Sequence, residues 1–182
     1  MSHDDFEGER YRVERVLEIL EHAVDRLSAR AHVSMSLLRD AVAFLRGAEE
    51  TAYEAARADD SEPTLSACLE YFSAVRRPLA AMQEALRDLE LGDATAATRF
   101  ARSAREYVFL RRDHLRLDDR VFARAQMRGH ALDGSREPVE SVEPAATRRL
   151  YDRLVEAAAM LDTGAQSASP TARARRRFSK SS

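Results

Sequence analysis

The sequence has no tryptophan, one cysteine and one lysine, Lys180, among its 29 basic residues. The single Cys68 excludes an intramolecular disulfide and any cysteine metal cluster. No apolar run approaches the length of a membrane span, so no membrane contact is expected. The start of the chain, MSHDDFEGER, is acidic and polar and does not make a signal peptide. A reducing, cytoplasmic setting is the simplest expectation. The net charge of -2 gives the whole chain no bias toward nucleic acid. There is no Gly-rich phosphate loop, nucleophile elbow, zinc spacing or internal repeat. No nucleophile–base pair stands out either, so enzymatic activity is not expected.

What remains is a composition that favours helix. Ala, Leu, Arg and Glu dominate, with 45% hydrophobic and 33% charged residues, and 182 residues are enough for one domain with a core. Phe100, Ala104, Tyr107, His114, Leu117, Asp118, Val121 and Ala125 recur at steps of three, four or seven, and so share one face of a long helix. Arg10, Val13, Leu17, Leu20, Val24, Leu27 and Ala31 form a similar stripe over 6–31. Leu38, Ala41, Leu45, Ala48, Ala52 and Ala55 do so from Ser34 or Ser36 to about residue 58. The charges at Glu49, Glu50, Glu54 and Arg57 in these turns read as a solvated face. A third stripe, over 63–91, contains Cys68, Tyr71, Val75, Met82 and Leu89, and Pro78 within it predicts a kink or a break. Gly92-Asp93 reads as a helix stop followed by an N-cap. A last helix is expected over 144–161.

These patterns predict an all-α, up-down four-helix bundle over 1–162, with an additional C-terminal helix. Residues 163–182 read as a disordered Arg-rich tail. Its Arg173, Arg175, Arg176, Arg177 and Lys180 are the one place where nucleic acid or an acidic partner could be contacted. His114 and Asp118, one turn apart on an inner face, are a candidate imidazole–carboxylate pair for a metal. The alternative is a polar pair satisfied within the core.

The order of the segments VERVLEIL, LLRDAVAFLR, LEYFSAVR and LGDATAATRFARSAREYVFLRRDHLRLDDRVF, closed by RRLYDRLVEAA, resembles the hemerythrin-like, or HHE cation-binding, family. The resemblance covers roughly residues 9–160. It implies a four-helix bundle whose di-iron site takes histidines and carboxylates from all four helices. Here the implied ligand positions carry Arg10, Tyr53, Glu54, Arg57 and Tyr71, and only His114, followed by Asp118, keeps the ligand chemistry. The resemblance therefore implies a degenerate metal site, with no cofactor expected and a protein partner of unknown identity. The alternative is an iron site rebuilt from His114, Asp118 and Glu54. Arg10, Glu54, His114 and Asp118 are expected to form one polar layer between the helices.

Overall fold

The computed structural model describes residues 3–58, 62–127 and 145–167. Among them are five helices and no strand: α1 (His3–Ser28), α2 (Met35–Ala58), α3 (Glu62–Glu90), α4 (Ala96–Met127) and α5 (Ala145–Ser167). The side chains of 117–127, of the tail, and of Ala55 and Cys68 lie outside the described residues, which takes in Leu117, Asp118, Val121, Ala125 and the five basic tail residues.

Helices α1 to α4 form a closed ring in which α1 packs on α2 and α4, and α3 packs on α2 and α4. Ion pairs across the seams show the directions. Glu21 of α1 pairs with Arg112 of α4 and Asp25 with Arg105, so these helices are antiparallel. Asp88 with Arg99, and Glu106 with Arg77, set α3 against α4 in the same sense. The core inside the ring is aliphatic and aromatic: Leu17, Leu20, Leu38, Leu45, Met82 and Phe100 are fully buried. Burying each such side chain contributes about 1.5–3 kcal/mol.

Two turns close the same end of the ring. Beyond α1, Ala31 N–H donates to the Arg26 carbonyl at 2.9 Å, with Arg30 in the left-handed region at φ 56°. Beyond α3, Asp93 N–H donates to the Asp88 carbonyl at 2.9 Å, with Gly92 at φ 84°. Both are helix stops in which one left-handed residue lets two orphan carbonyls find donors. Glycine takes that conformation without a Cβ clash, and Arg30 does not. Asp93 then caps the next turn, its Oδ1 accepting from Thr95 N–H at 2.7 Å and from the Thr95 hydroxyl at 2.8 Å.

Three expectations change. α1 ends at Ser28 rather than at residue 31, because the left-handed Arg30 turns the chain. Of the kink or break expected at Pro78, the break does not occur, and α3 runs on through it. The carbonyl that loses its donor there belongs to Ala74, an exposed residue of α3. α5 continues past residue 161 to Ser167. It lies on α2 and also on α1, with Leu154 fully buried and Arg153 bonded to both Asp40 oxygens at 3.0 and 3.1 Å. No described helix is long and apolar enough to cross a membrane.

Candidate functional site

Within the ring the aliphatic core gives way to a polar cluster drawn from three helices. Glu49 stands four residues after Leu45 on the inner face of α2, and Arg111 four residues after Tyr107 on the inner face of α4. The two charged side chains are only 7% and 10% exposed. Glu49 Oε1 accepts hydrogen bonds from the hydroxyls of Tyr71 (α3) and Tyr107 (α4), each at 2.7 Å. Arg111 Nη1 donates to the Tyr71 oxygen at 3.2 Å, and Arg111 Nε stands 3.6 Å from Glu49 Oε1. The Tyr107 bond spans the ring from α4 to α2, two helices that do not pack on each other directly.

The electrostatics follow from burial. Desolvation and the Glu49 carboxylate both push the Tyr107 and Tyr71 hydroxyls above their usual range, so both phenols keep their protons and act as donors. Burial opposes the charge on Arg111, but Glu49 and the two tyrosine oxygens outweigh it and hold the guanidinium charged. The cluster is charge-balanced without being fully bonded. Glu49 Oε2 and Arg111 Nε are buried with no hydrogen-bond partner among the described residues. His114 lies beside the cluster. Its ring stacks on Tyr71 with centroids 3.8 Å apart and planes 8° from parallel. The Arg111 guanidinium also lies over the Tyr71 ring, 5.6 Å from its centre. Tyr71 is thus gripped by an anion at its hydroxyl and by a guanidinium and an imidazole at its ring.

The positions implied by the family resemblance separate into different places. Tyr71 and His114 belong to the cluster. Arg10 forms an ion pair with Glu14, one turn along α1, at 3.1 Å. Glu54 is exposed. Tyr53 lies on the outer side of the α2–α3 seam, edge-on to Phe72 at 5.2 Å and 87°. Arg57 and Arg76 both approach its ring, at 5.9 and 5.3 Å. Asp118 lies outside the described side chains. The polar layer that is visible is therefore built on Glu49 and Arg111. Glu49 does not belong to the solvated face expected of it, because it sits on the seam one turn after Leu45. Arg111 is not a member of the stripe that runs from Tyr107 to His114 in one step of seven residues. The intermediate step of four lands on an arginine, and that charge on an apolar stripe is the signal that marks it.

Among the described residues no group of three or more His, Cys, Asp and Glu side chains could hold a metal ion. The donor set of the cluster is one carboxylate, two protonated phenols and one imidazole. A guanidinium stands against the carboxylate that would have to serve as ligand. That set does not fit an iron pair, which needs several imidazoles and bridging carboxylates. No family model, no curated protein and no solved structure matches this chain.

Proposed function

We propose that the chain is a hemerythrin-like bundle that has exchanged metal binding for a buried organic crosslink, and that it works as a non-catalytic scaffold or interaction module. The observation that carries the reading is the Glu49–Arg111 contact, closed by the Tyr71 and Tyr107 hydroxyls. It ties three helices together inside the ring, which is the mechanical role a bridging metal has in a bundle. The cluster has no evident chemistry of its own near neutral pH. Both phenols hold their protons tightly, the guanidinium stays charged, and the carboxylate is occupied by two short bonds. A cation brought to Glu49 would have to displace or repel Arg111.

Metal analysis of protein purified without chelator tests this directly. The expected result is well below one iron, manganese or zinc per chain and no absorption bands of oxo-bridged iron. Near-stoichiometric iron that survives dialysis would overturn the proposal in favour of a site rebuilt around His114, Asp118 and Glu54.

A further inference from the structure

The outer side of the α2–α3 seam carries two adjoining clefts. One, of about 250 Å³, has Phe72, Val75 and Leu79 among its lining residues; the other, of about 540 Å³, has Leu86. Both are bordered by Arg46 and Gln83, so they form one groove along the two helices. Its walls carry four arginines: Arg39 and Arg46 on α2, Arg76 and Arg87 on α3. Against them stand Glu90, paired with Arg39 at 3.1 Å, and Glu50, at 3.5 Å from Arg46. The third carboxylate at the groove, Glu49, is held inside by Arg111 and the tyrosines. Arg76 and Arg87 have no carboxylate partner among the described residues. The groove is therefore cationic on a chain whose net charge is -2.

The opposite flank of α2 shows what such a seam can accept. There α5 lies along α2, inserts Leu154 and pairs its Arg153 with Asp40. The α2–α3 seam has the same combination of apolar floor and charged wall with the sign reversed, because here the arginines belong to the bundle. We infer that this groove docks an amphipathic helix from another protein, one that carries carboxylates along the edges of its apolar stripe. The inference rests on the interaction-module reading and names the partner class. Arg39 and Arg46 are seven residues apart, about 10 Å along α2, so carboxylates at two-turn spacing on the partner meet both. Val75, Leu79 and Leu86 are already largely covered, so charge contributes more of the selectivity than new apolar burial, and the contact is salt-sensitive.

The test is a displayed library of helical peptides of about 18 residues. The apolar stripe is fixed, the flanking positions vary among Glu, Gln and Lys, and selection is made on the full chain. The expected winners carry Glu at two-turn spacing. Arg46→Glu with Arg87→Glu should weaken a winner about tenfold or more, since two attractive contacts become repulsive. Arg102→Glu, on the exposed side of α4, should leave binding unchanged. All three arginines are exposed, so the variants are expected to fold, and an unchanged thermal midpoint verifies it. Winners rich in Lys, winners indifferent to the double reversal, or no winner at all would overturn the inference. So would a dimer of the chain that Arg46→Glu dissociates, since a second copy would then cover the groove. A negative selection together with low metal content removes the groove and leaves the scaffold reading in place. Stoichiometric iron removes the scaffold reading whatever the library returns.

Discussion

Arg111 and Arg112 are adjacent on α4 and make their ion pairs in opposite surroundings. Arg111 turns inward to Glu49 and is 10% exposed; Arg112 turns outward to Glu21 and is 42% exposed. By geometry alone the outer pair is the better one. Arg112 reaches both Glu21 oxygens, at 2.8 and 2.6 Å, while Arg111 Nε stays 3.6 Å from Glu49 Oε1 and has no hydrogen-bond partner among the described residues. The energetic ranking runs the other way when a partner is removed. Water can take over from a lost surface partner, and an exposed pair contributes about 0.2–1 kcal/mol. Inside the ring nothing replaces a lost partner, and a stranded charge costs about 3–5 kcal/mol. The quality of an ion pair and the penalty for breaking it are separate quantities, and burial governs the second.

The largest expected effect is Glu49→Ala, which strands the Arg111 guanidinium and removes the acceptor of two phenols. It should destabilise the fold by about 3–5 kcal/mol in urea denaturation. Replacing both charges, Glu49→Leu with Arg111→Met, should cost clearly less than Glu49→Ala alone, because the bonded geometry is incomplete and both charges leave together. Additive single effects would break the comparison.

Next is Tyr107→Phe, which removes one hydrogen bond to a buried carboxylate and should cost about 1.5–3 kcal/mol. The same variant sharpens the comparison through pH. Burial and Glu49 raise the folded values of Tyr107 and Tyr71 above the ordinary 10.0. The folded chain therefore holds these protons more tightly than the unfolded chain. Their contribution is complete below pH 10 and is lost as pH rises beyond it, where the unfolded phenols ionise first. Urea midpoints should fall on raising the pH from about 10 to 12, and less steeply in Tyr107→Phe than in the parent chain.

The smallest expected effect is Arg112→Ala, at about 1 kcal/mol or less and shrinking further in molar salt. A loss as large as that of Glu49→Ala would mean that burial does not separate the two pairs.

Helix number and order were readable because each apolar stripe repeats at three and four residues, and packing of the seams follows from that repetition. Helix ends were less so. Arg30 in a left-handed turn has no sequence mark, since glycine is the usual occupant, whereas Gly92 announces its turn. Tyr71 and His114 were identifiable as polar members of inward faces. Glu49 and Arg111 each sit one step of four from a stripe residue, so each position was detectable within its own helix. Their pairing was not, because it depends on the relative heights of α2 and α4 across the ring, and no single helix encodes that. Glu54 and Arg57, two positions implied by the family resemblance, lie on the exposed side of α2.

The Tyr107–Glu49 bond has a kinetic consequence. It joins α2 to α4 across the ring, between residues 58 positions apart in the chain. Contacts within a helix close short loops, whereas this bond closes a long one, and the cluster as a whole brings three helices together. Its energy should therefore be absent at the folding barrier and present only afterwards. Changes at Glu49 or Tyr107 should then leave the refolding rate almost untouched and accelerate unfolding. The cluster would then be a latch on the finished bundle, setting how long the chain stays folded rather than how fast it folds.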